Sequence, residues 1–243
     1  MINNEKKEIK NRTTTNVMGF LLLALIFGAI VCILNYDRLQ SRTAHAISSN
    51  NILLQAKNFK QRKKTNFDMK KVSPISPKTL AHAWRYRHDY RAIGQIAVPQ
   101  NNIALNIYAG CSNDVLALGA GTMRSDQKMG ENNYPLAGHN MDDGVSYFSP
   151  LYSAKVNDKL SKSTTIFLTN FKTVYYYRVD LAKFISINNL WLANNQKYYA
   201  KKPVISLFTC DWTGTGRLYV RGHLTGKQSL KSASRYVKSV FKM

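Results

Sequence analysis

An all-β fold, a closed barrel of about eight short strands with short helices and a transmembrane helix ahead of it, is predicted by three features of the sequence. From Ala92 onward, short runs rich in β-branched and aromatic residues alternate with turn residues at close spacing, the rhythm of a sheet rather than of a helix. Well before that point, Val17 to Leu34 runs without a single charge and is long enough to span a bilayer. Near the other end, Val204-Ile205-Ser206-Leu207-Phe208-Thr209 is a largely apolar run, read as a buried strand, that stops on Cys210. Closing the sheet into a barrel removes the exposed edges that so many short strands would otherwise present.

Taken in order, residues 1–16 are polar and carry Lys6, Lys7, Lys10 and Arg12, a cationic flank that favours a cytoplasmic N-terminus. Arg38 and Arg42 on the far flank weaken that asymmetry. Residues 17–34 are the expected anchor, which leaves the remainder outside. Ala44-His45-Ala46 has the small-x-small form of a cleavage site, but it lies far beyond an apolar run longer than a usual signal core, so an uncleaved anchor is expected. Residues 35–91, rich in Lys and Arg and interrupted by Ser-Pro-Ile-Ser-Pro at 73–77, read as a basic stalk or linker with partial helix.

The barrel is expected over 92–224. Strands are read at Ile93–Val98 and Ile103–Tyr108, a helical turn or two at Val115–Leu118, and a short strand at Gly119–Met123. A loop at 125–133 leads into Tyr134–His139, and further strands fall at Thr165–Leu168 and Thr173–Val179. Ile185–Leu192 is too apolar for a flexible linker and either roofs a groove or packs as ordinary core. After Cys210 the Gly214-Thr215-Gly216 turn leads into Arg217-Leu218-Tyr219-Val220-Arg221, so the last two strands form a hairpin. Residues 225–243 are a basic tail able to form a short surface helix.

With 35 Lys and Arg against 13 Asp and Glu, a net charge of +22, the chain suits anionic surroundings such as lipid headgroups or polyanionic wall polymers. Nucleic acid is not expected as a partner for a segment just outside a membrane. Cys32, Cys111 and Cys210 are too few for a disulfide framework and lack metal-ligand spacing, which leaves room for a free reactive thiol.

Chemistry concentrates on three residues. Cys210 at a strand end is the candidate nucleophile, His139 at the end of Tyr134-Pro135-Leu136-Ala137-Gly138 its candidate acid and base, and Arg217 the guanidinium delivered across the hairpin. Arg221 projects to the same face and is the competing cation. Positive charge from His139 and Arg217 is expected to favour the thiolate, although reference pKa values of about 8.5 and about 6.5 make the thiolate–imidazolium pair a minority form unless the site shifts them.

Ser206-Leu207-Phe208-Thr209-Cys210 resembles the TLxTC signature, and Leu136-Ala137-Gly138-His139 the xAGH segment, of the sortase family of cell-surface cysteine transpeptidases, class A. The one departure is Ser206 for the usual Thr. The resemblance covers roughly Ile93 to His223 and implies a sortase-like barrel. It implies that Cys210 cleaves an LPXTG-like sorting signal of surface proteins between Thr and Gly through a thioacyl intermediate, which an amine from lipid II or another cell-wall precursor resolves. It assigns His139, Cys210 and Arg217 to catalysis, with Arg217 on the substrate backbone and oxyanion, and Ala137, Gly138 and Thr209 to substrate binding, Thr209 shaping the oxyanion site. By the same resemblance, the loop between the sixth and seventh strands helps form the peptide groove. Some class A members bind calcium through acidic residues before the His strand; only Asp126 and Glu131 occur there, flanked by Arg124 and Lys128, so no cofactor and no calcium dependence are expected. A papain-type peptidase is disfavoured because Cys precedes His in that family, and a wall L,D-transpeptidase because its Cys and Arg are nearly adjacent. The alternative is a non-catalytic cationic wall-binding protein on a β-barrel.

Overall fold

A computed structural model describes residues 2–50, 65–68, 72–211 and 215–241, the side chains of 2–16 and 49–50 excepted. The chain divides into two compact units, Met1–Gln40 and Ser41–Met243. The first holds helix α1 (Ile2–Leu34) and the start of α2 (Tyr36–Asn50). Val17–Leu34, with a mean hydropathy of 3.0 and exposed side chains, is long and apolar enough to cross a membrane by length and composition.

The second unit is a closed eight-stranded barrel, as the sequence predicts. Its strands are β1 (Ala92–Val98), β2 (Ile103–Tyr108), β3 (Ala120–Thr122), β4 (Asn133–Ala137), β5 (Thr165–Thr169), β6 (Thr173–Ser186), β7 (Val204–Cys210) and β8 (Gly216–Ser229). They close in the order β1-β2-β3-β4-β7-β8-β6-β5. Most neighbours are antiparallel, but β2–β3 and β4–β7 are parallel. Parallel neighbours need a crossover. Helix α4 (Asn113–Leu118) lies in the first, and the long stretch through α5 (Ser149–Val156), β5 and β6 makes the second.

Alternation along the strands sorts side chains to two faces. Ile96, Ile107, Leu136, Ile166, Ile205, Leu207, Leu218 and Val220 fill the interior. On the outer face Ala137, Phe208, Tyr219 and Ile185 meet Leu116 of α4 and Ala193 of the β6–β7 connection, with Leu190 and Leu192 packed against them. That connection, through 3-10 turns at Ile187–Ala193 and Lys197–Ala200, roofs the face next to β7. Its Trp191 stays 53% exposed, so the indole is not core. Gly94 sits where a Cβ would collide with the Thr169 carbonyl of β5, a close approach that only glycine permits.

The domain reaches past the expected limits of 92–224 on both sides. Ala44, Ile47, Leu80 and Ala83, from α2 and helix α3 (Pro77–Arg85), are buried in the main core, and Asn66 accepts a 2.7 Å hydrogen bond from the Cys111 amide. Parts of the expected stalk are therefore structural: its apolar residues find a dry surface on the barrel, which a solvated spacer would not offer. Lys57, Lys60, Arg62, Lys63, Lys64, Lys70 and Lys71 of that stalk lie outside the described residues. At the other end β8 continues to Ser229, pairing with β6 as far as Thr173. Helix α6 (Arg235–Ser239) then covers Phe167 and Val174 with Val237 and Phe241. The expected tail is thus docked, and Phe241 is 1% exposed.

Because Phe241 fills an enclosed site, Phe241→Ala should lower unfolding free energy by about 3 kcal/mol, the usual cost of such a cavity. Tyr236→Ala on the exposed side of α6 should stay within about 0.5 kcal/mol of wild type. Urea melts of the two variants check this; equal, small effects would show that the tail does not belong to the folded unit.

Candidate active site

Three strand ends meet at one rim of the barrel. β7 pairs with β8 so that Cys210 lies directly opposite Arg217. On the other side of β7, the parallel register places Ala137 beside Phe208. The Gly138 amide donates to the Phe208 carbonyl at 3.0 Å, so His139 leaves β4 level with Cys210. Cys210, Phe208, Ser206 and, on β8, Arg217, Tyr219 and Arg221 share the outer face. The sequence-predicted His139, Cys210 and Arg217 are thereby brought together, although they lie far apart in the chain. Residues 212–214 of the predicted turn lie outside the described residues.

The surroundings of each group set its chemistry. His139 is buried, its ring meets Tyr147 edge-on at 5.8 Å between centroids, and its carbonyl accepts from the Phe148 amide at 3.0 Å. Its Nε2 is buried without a hydrogen-bond partner among the described residues. Burial pushes the imidazole pKa down to about 4, so it is neutral at pH 7. Burial also raises the Cys210 thiol above its ordinary value; Arg217 acts against this, while Asp211 and Asp142 add to it. Arg217 favours the thiolate, as expected of a nearby positive charge, but loss of water outweighs it, so the thiolate–imidazolium pair is the minority form. Cys111 is fully buried and driven to about 12, mainly by burial, and Cys32 lies in the apolar helix. Cys210 is the half-buried thiol at the rim.

Arg217 is 9% exposed and its Nη1 donates to the Gly216 carbonyl at 2.6 Å. Arg221 is committed elsewhere, with Nε and Nη2 forking the Asp180 carboxylate at 3.0 and 3.1 Å. Two of the predicted substrate-binding residues lie under the surface. Ala137 is 1% exposed within the outer-face cluster. Gly138 is buried, and a Cβ there would stand 2.6 Å from the Phe148 ring. Thr209 is buried as well. Strand alternation turns its side chain to the barrel interior, away from the thiol, and its Oγ1 has no hydrogen-bond partner among the described residues.

Comparison with known proteins agrees with this geometry. A protein-family model, the Sortase domain, matches residues 96–225. The chain is 32% identical over 199 residues to Sortase A of Listeria monocytogenes, covering 80% of each chain. It is 30% identical over 187 residues to Sortase A of Streptococcus agalactiae, covering 74% of this chain and 72% of that one. The chain belongs to the sortase family. The crystal structure of the Listeria monocytogenes sortase A superposes with a TM-score of 0.55 at 34% identity, over 63% of this chain and 98% of that one. Sortases are cysteine transpeptidases that act on surface proteins and cell-wall precursors, and a rim bearing a thiol, an imidazole and a guanidinium suits such a sortase.

Sequence reading of this sortase overlooked Asn140 and Tyr147. Tyr147 is 1% exposed, packs on His139, and hydrogen-bonds the Ala117 carbonyl at 2.8 Å. Asn140 donates to the Cys210 carbonyl at 3.2 Å. Nothing in the local pattern around either residue announces a contact so far along the chain.

His139 also makes a stability prediction. Its folded pKa, about 4, lies below the unfolded value, so the unfolded chain takes up the proton first as pH falls from about 6.5. Stability from this group is complete above about 6.5 and is lost as pH drops through 4, by up to about 3 kcal/mol. Urea unfolding between pH 7 and pH 3 should show His139→Gln losing less stability than wild type; parallel losses would mean the imidazole is not held neutral.

Proposed function

We propose that this sortase is a membrane-anchored class A enzyme that cuts an LPXTG-like sorting signal between Thr and Gly and joins the surface protein to a cell-wall amine. The observation that carries the reading is the rim itself: β4, β7 and β8 deliver His139, Cys210 and Arg217 to one face. Sγ of Cys210 attacks the Thr carbonyl carbon, the C–N bond breaks, and the glycine side leaves as an amine that takes its proton from the His139 imidazolium. A thioester remains on Cys210. An amine of lipid II or a related precursor then attacks it, gives a proton to His139, and expels Cys210 as the thiolate, which restores the thiolate–imidazolium pair. Arg217 holds the substrate carbonyl and the oxyanion with a planar fork that an ammonium lacks. Since the resting pair is neutral, the thiolate–imidazolium form that reacts is a small fraction of the enzyme. Val17–Leu34 serves as an uncleaved single-pass anchor with the N-terminus cytoplasmic and the barrel outside. Anionic lipid or wall polymers suit the +22 charge.

No calcium is required in this reading. Arg124 already forks Asp126 at 2.9 and 2.5 Å, and Glu131 faces Lys128 at 3.8 Å, so the acidic groups of the 125–133 loop are matched by cations rather than gathered as ligands. A chelator should leave the rate of LPXTG-peptide cleavage unchanged; a severalfold fall restored by calcium would refute this.

Single-turnover acylation by an LPXTG peptide tests the function. Cys210→Ala and His139→Ala should each abolish it, and the double variant should be no worse, because members of one catalytic unit are not additive. In the same assay Arg217→Lys should fall by roughly 10²–10³, and Arg221→Lys, whose partner is Asp180, should stay within roughly threefold. Multiplicative losses for Cys210 and His139, or a near-wild-type rate for Arg217→Lys beside a collapsed Arg221→Lys, would overturn these roles.

A further inference from the structure

Among the described residues, the last backbone hydrogen bond between β4's continuation and β7 runs from the Gly138 amide to the Phe208 carbonyl. One step further on, a side chain takes over. Asn140 Nδ2 donates to the Cys210 carbonyl at 3.2 Å and to Asp142 Oδ1 at 2.9 Å, while its Oδ1 accepts from the Asp142 amide at 3.1 Å. These partners leave the carboxamide one orientation: two acceptors demand the NH2 on one side and an N–H demands the oxygen on the other. Asp142 has φ 53°, a left-handed residue on the exposed loop that this Asn turn stabilises. The neighbouring Asp143 shows what a local role looks like, since its Oδ1 accepts from the nearby amides of Val145 and Ser146, at 2.9 and 2.8 Å. Asn140 does the local task and also reaches a residue seventy positions away.

We propose that Asn140 is a positioning residue, which through the Cys210 carbonyl fixes the loop that carries His139 against the strand end that carries the thiol. The inference rests on the proposed roles of Cys210 and His139. Transfer of a proton between thiol and imidazole is sensitive to their separation, and two loops joined by no cross-tie would sample many separations. An aspartate of the same shape cannot serve, because its carboxylate would face the Cys210 carbonyl and the Asp142 carboxylate with no proton to offer.

The test uses the full chain with Asn140→Ala, Asn140→Asp and Asp142→Ala. In single-turnover acylation by an LPXTG peptide, both Asn140 variants should lose roughly tenfold or more in rate constant, the scale of one orienting hydrogen bond. KM and the amplitude of the burst should hold, whereas a fold that merely loosens would reduce the amplitude. Asp142→Ala keeps the bond to Cys210 and should remain within roughly threefold. Rate constants for the Asn140 variants within twofold of wild type, a loss confined to KM or amplitude, or an equal loss in Asp142→Ala would overturn the proposal. Alkylation of Cys210 by iodoacetamide needs no peptide and separates the two claims. If wild type is alkylated but never acylated by the peptide, the functional reading fails. The pH profile of alkylation then decides the role of Asn140: it should move to higher pH in Asn140→Asp, and an unmoved profile overturns it.

Discussion

The site depends on the pairing of β7 with two neighbours of opposite direction. A parallel partner, β4, runs alongside it and ends at the same rim, so the residue after β4 and the last residue of β7 emerge together. An antiparallel partner, β8, begins where β7 ends, so its first side chains face back across the hairpin. One strand end of each kind is enough to gather an imidazole, a thiol and a guanidinium from distant parts of the chain. The parallel pairing is also the expensive part of the topology, because it requires the chain to leave β4, build β5 and β6, and return.

Burial then governs what those groups can do. The outer face around the rim is covered by α4 and the β6–β7 connection, and the apolar cluster beneath them reaches the site. Removing water disfavours both charged partners, the thiolate and the imidazolium, and does so more strongly than Arg217 alone can offset at Cys210. Arg221, four residues further along the same face, illustrates the reverse case. Although burial works against its charge, Asp180 and Tyr199 hold its pKa above the ordinary value, and it is spent on structure.

The elements outside the barrel are tied to it by the same need to cover apolar surface. α6 caps the outer face of β5 and β6, and α2 and α3 lend Ala44, Ile47, Leu80 and Ala83 to the core. Ser146, in the loop after His139, donates to the Ser41 carbonyl at 3.2 Å, so α2 touches the segment that presents the imidazole.

Much of this protein was determined by the sequence alone. Period-two runs announce the strands, the uncharged run announces a helix fit for a bilayer, and Leu136–His139 and Ser206–Cys210 carry the family signature with Arg217 following in order. These are local patterns, and local patterns specify element type and motif. What tertiary structure decided is everything that depends on which face of a strand, and which distant neighbour, a residue meets. It turned Thr209 inward, buried Ala137 and Gly138, took Arg221 away from the rim with Asp180, and docked a basic tail through Phe241. It also set the balance at Cys210, where loss of water outweighs the Arg217 guanidinium, because desolvation is a property of the packed surroundings and no residue's neighbours in sequence record it.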